Sequence, residues 1–231
     1  MPFYYYGIDP LYLYLVLPAI LLSFIAQIMV KSTFSKYSQY LCNYSGAEAA
    51  KRVLEANGVY DVKIERVSGN LTDHYDPKTN IIRLSDTVYD ARNISAVGVA
   101  AHEAGHAVQY AKGYSPIKIR TAIYPICNIG SQLSMPLLLI GLLFNFSFLM
   151  NLGIIFFGVA LVFQLVTLPV EFNASSRALS AIKDSNILLD YSEVKGARKV
   201  LSAAALTYIA AFLVSLTQLL RFLIIANRRR R

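Results

Sequence analysis

The stretch Leu152–Val170 reads LGIIFFGVALVFQLVTLPV, nineteen residues without a charge, and the next residue is Glu171. About 20 apolar residues cross the hydrocarbon core of a bilayer as a helix. The run therefore reads as a transmembrane span that ends on a carboxylate. Three further apolar runs lie at about 11–30, 122–144 and 203–226, and they alternate with polar segments at about 31–120 and 171–200. Of the 231 residues only 16% are charged, where a soluble domain of this length carries about 25%. The deficit is confined to the apolar blocks, so the chain reads as spans alternating with water-exposed segments.

Working outward, the span before Leu152 carries Pro125 and Pro136, which predict kinks, and the short uncharged linker Asn145–Asn151 predicts a hairpin. The first apolar run, Leu11–Val30, lacks the basic start and small-residue cleavage site of a secretory signal, which predicts a retained helix. Tyr4, Tyr5, Tyr6, Tyr12 and Tyr14 crowd its start, where amphipathic rings favour the membrane interface. Arg221 inside the last span must face protein or snorkel outward. The net charge is +8, but the basic residues gather beside apolar spans and no nucleic-acid motif accompanies them. Anionic lipid and orientation by charge account for that pattern, and nucleic acid is not an expected partner. Cys42 and Cys127 stand in different segments without metal spacing, so no disulfide framework is expected.

The polar segments carry ordinary folding signals. Ser45 followed by Glu48 forms a capping-box pattern and Gly58 a stop. Val62–Val67 and Asn80–Leu84 read as strands on either side of the polar turn Asp73–Thr79. Ser95 to Lys112 reads as a helix capped by Ser95 and ended by Gly113. Further helix signals lie at Asn173–Lys183 and Ser192–Glu193. Inside the Ser95–Lys112 helix stands His102-Glu103-Ala104-Gly105-His106, an H-E-x-x-H pattern. Histidines four apart share one helix face, so both imidazoles can reach one Zn²⁺. Glu103 is rotated by about 100° from His102 on a helix of 3.6 residues per turn, a position for activating the metal's water. Gly105 is read as leaving the helix face bare beside the ion. The strand shortly upstream offers the edge that zinc peptidases pair with an extended substrate. A catalytic zinc takes three protein ligands. By residue type, His74, Glu171, Asp184, Asp190 and Glu193 are all candidates for the third.

The set Asp73-His74-Tyr75-Asp76-Pro77, Ala101-His102-Glu103-Ala104-Gly105-His106-Ala107-Val108-Gln109 and Pro169-Val170-Glu171-Phe172 resembles the YugP-type family of neutral zinc metallopeptidases. The likeness covers essentially the whole chain, to the Gly196–Leu201 stretch. That family is in turn similar to the HtpX-like membrane gluzincins, in which a transmembrane hairpin separates HExxH from a glutamate ligand. The resemblance implies Glu171 as third ligand beside His102 and His106, with one Zn²⁺ per chain and Glu103 as general base. Such gluzincins commonly hold a zinc histidine by an Asp four residues after that Glu. Ser175 stands there in this chain, leaving Asn173, Ser175 or a backbone carbonyl for the task. His74, or Tyr75, is a candidate oxyanion stabiliser, and Arg177 a weaker one.

These readings combine into one expectation. The chain is a mainly α multi-pass membrane protein of about four transmembrane helices, with a small α+β zincin-like unit at the membrane surface, in a single domain 1–231. Its expected function is a zinc-dependent endopeptidase acting on peptides or membrane proteins near the surface of a bacterial cell membrane, with the substrate along Asn80–Leu84. Lys31, Lys36, Lys112, Lys118, Arg120, Arg177, Lys183, Lys195, Arg198 and Lys199 all flank the catalytic side, against Arg228–Arg231 opposite. The positive-inside rule then sets the active site on the cytoplasmic face. The rivals are a scaffold whose structural zinc is closed by a fourth ligand such as Asp190 or His74, and a hydrolase of non-peptide amides or esters.

Overall fold

The computed structural model describes residues 10–229; Tyr4, Tyr5, Tyr6, Arg230 and Arg231 lie outside the described residues. Six α-helices carry most of the chain: α1 (Leu17–Tyr37), α2 (Gly46–Ala56), α3 (Ile94–Ala111), α4 (Ser115–Leu143), α5 (Ser147–Asp184) and α6 (Tyr191–Arg229). A π-helical turn, Tyr12–Val16, leads into α1. Three short strands, β1 (Lys63–Val67), β2 (His74–Asp76) and β3 (Ile81–Ser85), form one sheet. Among the described residues four helices are long and apolar enough to cross a membrane: Tyr12–Tyr37, Ser115–Leu143, Ser147–Asp184 and Tyr191–Arg228, with mean hydropathies of 2.3, 1.6, 2.3 and 2.1 over their most apolar windows. The chain is a mainly α multi-pass membrane protein with a small three-stranded sheet.

The long helices outrun the apolar blocks. The signals near Asn173–Lys183 and Ser192–Glu193 are not separate helices: the first is the distal part of α5 and the second the start of α6. Pro169 lies inside α5, and Pro125 and Pro136 inside α4. In a span each proline frees a single backbone carbonyl, a cost that neighbouring groups can absorb.

The contacts divide the chain into two compact units. Of the described residues, the first comprises 10–26, 119–168 and 207–229. Within it Gly141 and Gly153 let the two arms of the hairpin meet at backbone distance. A Cβ on Gly153 would stand 2.8 Å from the Leu138 nitrogen, and one on Gly141 would run into the Met150 nitrogen. Arg221 rests its guanidinium 5.3 Å from the centre of the Tyr12 ring, a cation–π contact that keeps its charge against protein. Ile126, Phe148 and Ile155 are exposed on the outer faces, as contact with lipid tails requires.

The second unit comprises residues 27–118 and 169–206. Here α2 starts at the capping box expected from the sequence: the Ser45 hydroxyl accepts from the Glu48 amide, and the Glu48 carboxylate accepts from the Ser45 amide at 2.8 Å. Its apolar face, Ala49, Ala50, Val53 and Leu54, joins one core with Ile82 and Leu84 of β3, Val97, Ala101 and Val108 of α3, Ile182 of α5 and Leu201 of α6. Each buried Ile, Leu or Val contributes about 1.5–3 kcal/mol. The many alanines in that core bring the helix backbones close together.

In the sheet the order is β1-β3-β2, with β1 parallel to β3 and β2 antiparallel to it, His74 opposite Arg83 and Tyr75 opposite Ile82. This corrects the expected substrate strand. Asn80–Leu84 corresponds to β3, the central strand, whose two edges are both hydrogen-bonded. The edges belong to β1 and to β2, the three-residue strand hidden in what reads as a turn.

Candidate metal centre

The centre is built on α3. The cap of that helix is Asn93, whose side chain accepts from the Ala96 amide at 2.9 Å, two residues before the Ser95 expected from sequence. Ser95 lies in the first turn and its hydroxyl donates to the Phe34 carbonyl at 2.7 Å. The helix is buried on nearly every side, so His102 and His106 are held by packing. Their rings meet edge to face with centroids 4.7 Å apart.

Glu171 completes the group from α5. Its Oε2 lies 3.2 Å from His102 Nε2 and 3.4 Å from His106 Nε2, and its side chain is 3% exposed. Two ligands bound at about 2.05 Å to a tetrahedral zinc stand about 3.3 Å apart. The observed separations therefore fit that ion, and His102, His106 and Glu171 are the three residues that could hold it. The donor set suits it too, since neutral imidazole nitrogens and a carboxylate oxygen are ordinary zinc ligands.

What brings the carboxylate there is Gly105. A Cβ on this residue would stand 2.6 Å from the Ala174 carbonyl oxygen and 3.3 Å from the Ala174 Cα. The bare face at Gly105 is thus filled by the backbone of α5, not left open beside the ion. The small residue sets how near α5 approaches, and so where Glu171 reaches.

Each histidine is oriented through its other nitrogen. His102 Nδ1 lies 3.1 Å from Ser175 Oγ, so of the expected candidates the serine four residues after Glu171 makes the contact. His106 Nδ1 lies 3.1 Å from Oε1 of Gln109, a residue with no exposed surface. The Gln109 amide is fixed by its other end: Nε2 donates to the Val170 carbonyl at 2.8 Å and to Asn173 Oδ1 at 3.0 Å. Its oxygen must then face His106 as an acceptor, which places the imidazole proton on Nδ1 and the lone pair on Nε2, toward Glu171. Asn173 Oδ1 also accepts from Arg177 Nε at 2.7 Å, and the Arg177 guanidinium lies 5.8 Å from the Tyr114 ring centre. Arg177 is the outer end of this chain of contacts. Gln109 is the member that reading the sequence missed, although it stands three residues after His106 on the same helix.

Burial is the largest influence on His106 and pushes its pKa down. The hydrogen bond to Glu171 and the charges of Glu103 and Glu171 outweigh it and leave the pKa raised. Glu103 is half-buried on α3, and no hydrogen bond or ion pair engages its carboxylate among the described residues. His74 is exposed on β2, where its Nδ1 donates to the Thr72 carbonyl at 2.9 Å. It does not join the three-residue group, and neither do Asp184, Asp190 and Glu193. Glu193 has a local task, accepting from the Leu189 and Asp190 amides at the start of α6. The Tyr75 hydroxyl donates to Asn80 Oδ1 at 2.7 Å, and burial drives its pKa up to about 12.

Residues 12–227 match the family described as "Putative neutral zinc metallopeptidase". A curated relative, "Putative membrane protease YugP" of Bacillus subtilis (strain 168), is 50% identical over 217 residues, covering 93% of this chain and 96% of the relative. No solved structure matches the chain. With a family match from Tyr12 to Asn227 and a relative 50% identical over 217 residues, the chain belongs to the family described as "Putative neutral zinc metallopeptidase".

Proposed function

We propose that the chain is a zinc-dependent membrane endopeptidase of the HExxH gluzincin type, which hydrolyses peptides or membrane proteins close to the membrane surface. The observation that carries the reading is a group of three residues that could hold a metal, His102, His106 and Glu171, on the same helix as a carboxylate, Glu103, that no hydrogen bond or ion pair engages among the described residues. A structural zinc is normally closed by a fourth protein ligand, whereas a catalytic one keeps that position open. Among the described residues neither Asp190 nor His74 joins the group, which favours the catalytic reading over the scaffold.

A zinc ion held there would polarise the scissile carbonyl and acidify the attacking water. The protein's own groups do the rest. Glu103 takes a proton from the water as its oxygen bonds to the carbonyl carbon. It then gives that proton to the amide nitrogen as the C–N bond breaks. Ser175 and Gln109 hold the two imidazoles so that the lone pair of each points to the same place. An extended substrate pairs with the free edge of β2, and not with β3, both of whose edges are taken by β1 and β2. His74, exposed on that strand, is the proposed donor to the developing oxyanion.

Glu171 directly follows the apolar run Leu152–Val170, which supports a centre near the lipid headgroups and substrates cut close to their membrane ends. The basic residues beside the spans favour the cytoplasmic face. The whole chain acts as one domain on this reading, because α1, α4, α5 and α6 each join an apolar span to a polar catalytic segment. The test uses purified full-length protein, assayed for zinc and for cleavage of a peptide library derived from a proteome. Glu103→Gln should keep one zinc per chain and lose at least about 100-fold in turnover, the scale of a general base. Full activity with full metal content would show that another group activates the water.

A further inference from the structure

A second feature of the catalytic unit lies away from the metal centre. A cavity of about 440 Å³ opens between α1 and α6. Thr33, Lys36 and Tyr37 line it from α1, and Lys199 and Ser202 from α6. Met29 and Ala203 line it as well. The residues from each helix fall at i, i+3, i+4 or i+7 spacing and so share one face. Tyr37 is packed against Gly196 of α6, where a Cβ would stand 2.8 Å from the ring.

We propose that this cavity is a binding site for a glycerophospholipid with a net-negative headgroup, its phosphate between Lys36 and Lys199. Three observations carry the assignment. First, two cations line one cavity, and among the described residues no carboxylate lies within ion-pair distance of either. Like charges brought together without an acid are relieved by an anion. Second, hydroxyls accompany them: Thr33, Ser202 and Tyr37 are donors suited to phosphate oxygens. Third, each helix grades the same way. On the cavity-lining face of α1 Lys36 is followed by Thr33 and then Met29, and on that of α6 Lys199 is followed by Ser202 and then Ala203, while Lys31 is not among the lining residues. Met29 is itself 41% exposed. The seven residues from Met29 to Lys36 rise about 10 Å along the helix axis, enough to separate a phosphate from the first methylenes of its acyl chains. A free phosphate would use the charged end and leave the apolar end unexplained, so the lipid is the occupant. The site is independent of the peptidase reading.

The experiment is native mass spectrometry of the purified full-length protein from micelles doped equally with phosphatidylglycerol and phosphatidylcholine. The wild type should retain phosphatidylglycerol preferentially. Each lysine near an anionic lipid contributes enough for about a fivefold change in retention, so Lys199→Gln should lower it about fivefold and the Lys36→Gln/Lys199→Gln pair more. Lys36→Arg/Lys199→Arg should restore it. Lys112→Gln/Lys118→Gln, equal in charge but outside the cavity, should change nothing. A large excess of inorganic phosphate should leave the lipid in place. Equal retention of both lipids, an equal loss in the Lys112/Lys118 control, or displacement by inorganic phosphate would each overturn the proposal. Unchanged thermal unfolding of the variants separates loss of the site from loss of the fold.

Discussion

Gly105→Ala adds one methyl group, and two opposed effects follow from it. Alanine is the better helix former by about 1 kcal/mol, which by itself would stabilise α3. The new Cβ, however, would lie 2.6 Å from the Ala174 carbonyl oxygen, 3.2 Å from the carbonyl carbon and 3.3 Å from the Cα. These are backbone atoms of α5 and cannot rotate away. Bringing the shortest contact out to the ordinary 3.4 Å requires the helices to part by roughly 0.8 Å. Overpacking of this kind costs about 1–3 kcal/mol, so the clash outweighs the gain in propensity. Glu171 stands one helical turn before Ala174 and moves with it, away from histidines whose distance to a bound metal tolerates only about ±0.2 Å. Zinc affinity should fall by about 10–100-fold, with thermal stability in detergent somewhat reduced. The assay is competition for zinc against a chromophoric chelator, read beside the unfolding transition. Gly158→Ala in the same helix as Glu171 is the control, because nothing lies within 4 Å of its added Cβ; it should bind zinc as the wild type does. Wild-type zinc affinity in Gly105→Ala would refute the argument that the α3–α5 approach sets the site.

Other outcomes follow from the same geometry. Gln109→Leu removes the acceptor for His106 Nδ1 and should weaken zinc binding about 10–100-fold; wild-type affinity in that variant would dismiss the tautomer argument. His102→Ala/His106→Ala should contain no stoichiometric zinc by elemental analysis, and unchanged metal content would place the ion elsewhere. For sidedness, Cys42 and Cys127 are replaced and single cysteines introduced at the exposed positions Ser68 and Asn145. A membrane-impermeant thiol reagent on intact cells should label the Asn145 position and spare the Ser68 position. The reverse pattern would put the catalytic face outside.

Short-range rules were enough for much of this protein. Apolar run length decided the four spans, and the capping box at Ser45 and Glu48 decided where α2 begins. The i, i+4 repeat at His102 and His106 put two imidazoles on one face. Each depends on hydrogen bonds or periodicity within a few residues, which the sequence by itself determines. Even there a competing cap went unseen, because Asn93 and Ser95 are both good N-caps and only the Phe34 carbonyl, 61 residues away, claims the Ser95 hydroxyl. The third ligand had several equal candidates by residue type, and family likeness chose among them. Tertiary structure gives that choice its physical reason: a glycine on α3 admits the backbone of α5. Gln109 meets Val170 across 61 positions, and Ser175 meets His102 across 73. The place of Asn80–Leu84 at the centre of the sheet was likewise decided by its partners on both sides. Contacts between residues so far apart arise from how helix and strand faces pack, and packing is a property of pairs of segments that no single segment encodes.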